Sequence, residues 1–201
     1  MIETANDLTT LSAIMAGICL SAASGLRVFL PILALGLAVR FELIEVSEQF
    51  LWLASEPVLI IVGLAALFEV GAYYIPVVDN LLDVLATPAA IGGGTMIVSS
   101  LLPEMNAVLQ WSTAAALGGG TAGIVQAATV VTRGLSTSTT AGLGNSLVST
   151  GETGGSLLAI FMALIFPILF GIVVVIGLIA LLVWLIRRLL RPPEALPQDQ
   201  R

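Results

Sequence analysis

The chain contains no histidine, no lysine and a single cysteine, and only 10% of its 201 residues are charged. Each shortage excludes something. Without histidine, neither a serine–histidine catalytic pair nor a histidine-based zinc-protease motif can be built. One cysteine, Cys19, leaves no internal disulfide and no cysteine/histidine cluster with zinc spacing. Set inside an apolar run, it reads as a small packing residue. No cofactor or metal is expected. Seven arginines against thirteen acidic residues give a net charge of −6, and phosphate backbones need a basic face, so no nucleic-acid partner is expected.

The scarcity of charge also decides the solvent. A soluble domain carries about 25% charged residues. Here the charged share is 10% and the hydrophobic share 58%, too little charge to cover a water-facing surface. The sequence therefore reads as an all-α polytopic transmembrane helix bundle. Residues 1–191 form one integral membrane domain, and 192–201 form a polar, proline-rich tail. Glu3 and Asp7 precede the first apolar run where a signal peptide would be basic, so that run reads as a retained span.

Five to six hydrophobic segments follow along the chain. The first, about 8–39, is overlong: about 30 helical residues measure roughly 45 Å against a hydrocarbon core of about 30 Å. Its small residues Ser21 to Gly25 mark a close contact or a local break, and Arg27 lies midway. An acidic connector, 40–56, offers Phe50 and Trp52 as interfacial anchors. A second span opens at Pro57 and contains Glu69, with Tyr73 and Tyr74 suited to an interface. The third, 88–102, is short and carries Gly92-Gly93-Gly94, so it must pack against a close neighbour. The fourth covers about 111–132. Residues 133–152 are too polar for a lipid-facing helix, and read either as an external loop or as a re-entrant segment lining a wet cavity. The last run, 155–186, is again overlong and carries Pro167, and then come Arg187, Arg188 and Arg191. Those arginines place the C-terminus in the cytoplasm, in keeping with a bacterial inner membrane. Five spans would put Arg40 on that same side and leave Arg133 as the exception. AASGLRVFLPIL and TAGIVQAATVVT share a small-residue pattern, which admits an inverted repeat with halves 8–102 and 107–186.

Ionisable groups at membrane depth are candidate sites when partners exist. The candidate substrate or ion pathway comprises Arg27, Glu69, Asp79, Asn80, Asp83, Arg133, Ser136, Thr137, Asn145 and Glu152. Arg27 stands out, since no helix start or loop explains it, although pairing with Glu69 or snorkelling would also accommodate it. Asp79 and Asp83, four apart on one helical face, form either an incomplete hard-cation site or a solvated polar face. Thr87-Pro88 reads as a helix start. Ser149-Thr150-Gly151-Glu152 reads as a capping box opening the last helix. The hydroxyl-rich tract 136–150 is either an anion-binding surface or a flexible loop. Gly142-Leu143-Gly144-Asn145 is similar to the GxGD motif of intramembrane aspartyl proteases, but asparagine replaces the required aspartate and the carboxylate dyad is lost. No enzyme is expected.

In order along the chain, AASGLRVFLPILALGLAVRF, WLASEPVLIIVGLAALFEV, IPVVDNLLDVLATP and GNSLVSTGE resemble a family of small integral membrane proteins defined by the domain of unknown function 4126. The pattern of that family places charged residues just before the proline of its IP motif, where this chain has Tyr73-Tyr74. The resemblance implies a helical membrane protein. Two functions remain open at this level. One is a small transporter or channel-like carrier of an ion, small solute or lipid head group. The other is a non-catalytic interaction or assembly subunit whose charges only lock helices together. The expected partners are the lipid bilayer and a small anion, cation or lipid phosphate, and a homo-oligomer is compatible with the small-residue faces.

Overall fold

A computed structural model describes residues 2–189. Outside its description lie the side chains of 2–6, 76–81, 83, 184–186 and 188–189. Among the described residues the chain is all-helical, with eight α-helices and no strand: α1 Ile2–Ser24, α2 Phe29–Arg40, α3 Glu56–Ala72, α4 Pro76–Leu101, α5 Ala107–Ala114, α6 Gly120–Thr140, α7 Asn145–Ile165 and α8 Pro167–Leu189. A 3₁₀ segment, Glu48–Ala54, leads into α3 at 63° to it. A π-helical turn, Ala115–Gly119, joins α5 to α6. The 107–140 stretch is thus one rod. Among the described residues four helices are long and apolar enough to cross a membrane, or five if the bent 48–72 pair forms one span.

Both overlong runs divide. The first breaks at 25–28 and α2 folds back along α1. The second breaks at Phe166, before Pro167, which has no N–H to continue the ladder. Beyond that break the chain reverses. Gly171 lies against Met15 while Leu178 and Leu181 lie beside Ala22 and Leu26, so α8 runs parallel to α1 and antiparallel to α7. This reversal changes the expected sidedness. Arg133 now lies at the end of the bundle towards which α8 runs, and Arg40 lies at the opposite end, the reverse of the five-span count.

Helix α1 is the central post. Cys19, Leu20 and Ala23 are fully buried among Leu35, Ile97, Ala122 and Ala163 from α2, α4, α6 and α7. The contact between α4 and the rod depends on two glycines: a Cβ on Gly118 would overlap the Gly94 carbonyl, and one on Gly94 would overlap Gly118. This is the close neighbour that the glycine-rich third run requires. Outward faces carry the apolar load, including Ile61, Leu67, Phe68, Leu169 and Ile176. That arrangement suits lipid, where no hydrophobic effect penalises exposed leucine.

Several local expectations are corrected. Thr87-Pro88 does not begin a helix; Pro88 lies inside α4, whose start is Pro76. Ser149 to Glu152 is not a capping box, because α7 already begins at Asn145. The 133–152 tract is helical on both sides and not an irregular loop. It is two helix ends joined by a turn at 141–144, with Gly142 at φ +88°. Phe50 is buried and packs 6.1 Å from the Trp111 ring, while Trp52 stays half exposed. The similar segments at 22–33 and 121–132 differ locally, the first broken by a turn and the second lying within α6.

Candidate functional site

The turn that ends α1 builds the site. Gly25 is required there because a Cβ would sit 2.5 Å from the Ala122 carbonyl oxygen. Amides of Gly25, Leu26 and Arg27 close back onto carbonyls of Ser21, Ala22 and Ala23, which ends the helix and projects Arg27 inward. At the next residue α2 begins without a cap of its own. Glu69 supplies it from α3: Oε1 accepts from Val28 N at 2.6 Å and Oε2 from Phe29 N at 3.0 Å. A carboxylate on a helix N-terminus satisfies orphan amides and complements the dipole. Glu69 therefore does not pair directly with Arg27, as the sequence suggested, and both its oxygens are occupied by amides.

Arg27 is 1% exposed. Its Nε donates to Thr153 Oγ1 at 2.9 Å, and its Nη2 donates to the Ser149 carbonyl at 2.8 Å and to Ser149 Oγ at 2.6 Å. Nη2 also lies 3.5 Å from Glu152 Oε2. Nη1 is buried and, among the described residues, has no hydrogen-bond partner. Arg133, on α6, is likewise buried. Its Nε donates to Glu152 Oε1 at 3.0 Å and its Nη2 meets Oε2. One carboxylate thus serves two guanidinium groups. Both guanidiniums also lie over the ring of Tyr73, 4.3 Å and 4.0 Å from its centroid. Cation–π attraction of this kind is worth about 0.5–2 kcal/mol per cation.

Of the candidates read from sequence, the fold brings together Arg27, Arg133 and Glu152, with Glu69 one helix turn before Tyr73. Three others, Ser136, Thr137 and Asn145, lie further along the α6–α7 hairpin. Asn145 donates to Thr137 Oγ1 at 3.0 Å, and the Ser136 carbonyl accepts from Thr140 at 2.7 Å. These contacts fasten the turn. The side chains of Asp79, Asn80 and Asp83 lie outside the described residues. Sequence reasoning missed Tyr73, which was assigned to an interface, and Ser149 and Thr153. A signal for the last two was present: Asn145, Ser149, Glu152 and Ser156 recur at helical spacing, and all four are buried on one face of α7.

One cavity adjoins this centre and another lies far from it. One, about 340 Å³, is lined by apolar residues of α1, α6, α7 and α8, among them Leu26, Val125, Gly155 and Gly177. The other, about 570 Å³, lies at the opposite end of the bundle, where Thr9, Glu42, Glu45, Ser47 and Glu104 line it. No group of three or more metal-binding side chains occurs among the described residues.

No curated protein and no solved structure matches this chain. A family model described as Domain of unknown function (DUF4126) matches residues 14–188, and the chain, a multi-pass helical membrane protein by its apolar helices, belongs to that family.

Proposed function

We propose that the protein is a small, non-enzymatic carrier of an anionic solute, with Arg27 and Arg133 as its anion-recognising pair. One observation carries this reading: two buried guanidiniums share a single carboxylate, while Nη1 of Arg27 is buried and unengaged among the described residues. Arginine presents planar paired donors that fit carboxylate and phosphate oxygens. Glu152 then acts as the resident counter-ion, occupying the place that an arriving anion would take. With the C-terminal arginines in the cytoplasm of a bacterium, the arginine pair lies towards the cytoplasmic side of the inner membrane.

The test is exchange of labelled inorganic phosphate and small carboxylates across vesicles containing the purified protein. Arg27→Lys and Arg133→Lys keep the charge but lose the fork, so exchange should fall at least about tenfold in folded protein. Vesicles that exchange none of these anions, or lysine variants that match the wild type, would exclude the reading.

A second reading, an assembly subunit, has its own supporting observation. Arg27, Arg133, Glu69 and Glu152 all have partners, drawn from four separate segments, as a helix-locking network requires. On that reading Arg27→Ala and Glu69→Gln lose folded protein equally and no anion exchanges.

A further inference from the structure

We infer that the anion recognised by the arginine pair is the phosphate of an anionic phospholipid, one of whose acyl chains lies in the apolar groove between α1, α6, α7 and α8. This rests on the carrier reading above and specifies its cargo. Three observations converge. The groove adjoins the charged centre: Leu26, at its edge, precedes Arg27, and Gly155 follows Glu152 by one helical turn. Its lining is otherwise Ala22, Val125, Phe170, Val174 and their apolar neighbours, and its volume of about 340 Å³ lies within the range of about 300–1,000 Å³ typical of small-molecule sites. From Leu181 back to Phe170 it follows α8 for about 16 Å, away from the arginines and towards the bilayer interior.

Depth agrees. The Asp7–Ser24 span covers about 27 Å, close to the full hydrocarbon thickness of about 30 Å, so Arg27, three residues beyond it, sits near head-group level. A buried arginine pair at head-group depth beside an apolar groove leading inward complements an amphipathic anion, with the unpartnered Nη1 of Arg27 as the donor it would meet. A free anion would use the arginines and leave the groove without a role.

The experiment measures retention of phosphatidylglycerol, phosphatidylcholine and inorganic phosphate by the purified protein, using native mass spectrometry for the lipids and thermal shift for phosphate. Gly177→Trp fills the groove at a position where an added Cβ meets nothing within 4 Å, and Val174→Trp fills it from the same helix should the first variant fail to fold. Phosphatidylglycerol should be retained at least about tenfold better than phosphatidylcholine, and each tryptophan variant should lose that preference while keeping its response to inorganic phosphate. Equal retention of the two lipids, or full retention of phosphatidylglycerol by both folded variants, would overturn the inference. Stabilisation by inorganic phosphate without preferential phosphatidylglycerol binding would also sink the lipid assignment and leave the carrier reading standing. If neither anion binds, both fall.

Discussion

Glu152→Gln isolates the network most cleanly, because it keeps the side chain's size and removes only its charge. Glu152 is 6% exposed and is the shared acceptor for Arg27 and Arg133. In the variant one oxygen becomes an NH₂ that faces guanidinium donors, so both arginines lose their counter-ion inside the bundle. Removing one partner of a buried ion pair costs about 3–5 kcal/mol, chiefly the burial of the charge left behind. The Tyr73 ring cannot offset this, since its attraction for the two cations is present in both proteins. At about 2–4 °C per kcal/mol for a chain of this size, Tm should fall by about 6–20 °C. Thermal melts of the detergent-solubilised protein, followed by size exclusion, provide the measurement. The double variant Arg133→Gln/Glu152→Gln should melt well above the sum of the single losses, with a coupling of about 1–3 kcal/mol. On the carrier reading, millimolar inorganic phosphate also restores part of the Glu152→Gln loss. A Glu152→Gln protein that melts with the wild type, or single losses that simply add, would refute the network as described.

Three further outcomes are expected. Glu69→Ala strips the cap from α2 and leaves the Val28 and Phe29 amides buried without acceptors, at about 1–3 kcal/mol; hydrogen exchange at residues 28–32 should accelerate, and unchanged protection there would exclude the capping role. Gly118→Ala forces α4 and the 107–140 rod apart and should lower folded yield, an overpacking cost of about 1–3 kcal/mol, whereas Gly92→Ala has open space and should be neutral or mildly stabilising in the same melts. For sidedness, Leu143→Cys and Arg187→Cys should label from one face of sealed vesicles and Glu104→Cys from the other, with buried Cys19 silent; labelling of Arg187→Cys together with Glu104→Cys would contradict the reversal at Phe166.

The membrane class, the small-residue helix contacts and the need of Arg27 for protein partners were legible in the sequence because each rests on a one-dimensional cost. Too few charges cannot cover a watery surface, three consecutive glycines cannot hold lipid, and an arginine inside an apolar run needs a partner wherever it lies. Helix ends were less legible. Thr87-Pro88 has the chemistry of a start, yet Pro88 falls in the body of α4, where lipid-embedded helices tolerate proline because neighbouring groups re-satisfy the freed carbonyl. The polar tract at 133–152 was hidden for a related reason. Its hydroxyls turn inward on their own helices, as where Thr139, Thr140 and Thr150 donate to carbonyls of the preceding turn, so a segment that looks too polar to be a lipid-facing helix is nonetheless helical.

Partner choice was the least legible step, and Glu69 and Glu152 show why. Both are glutamates that an arginine at Arg27 could reach, and helical spacing gives no preference between them. The decision lies in the turn at Gly25. By ending α1 there, the chain creates a fresh helix N-terminus at Val28, and that positive end of α2 faces α3. Glu69 is held by two amides and acts on the arginines through space, while Glu152 contacts both guanidiniums directly. The sharing of one carboxylate by two guanidiniums is therefore a consequence of backbone geometry. If Glu69 were released from α2 it would add a second carboxylate within reach of the same arginines. The cap on α2 and the affinity of the arginine pair for an anion are thus linked through one side chain. Glu69→Gln, which keeps one acceptor for the amides but removes the negative charge, should strengthen phosphate-induced stabilisation relative to the wild type even as it lowers intrinsic stability.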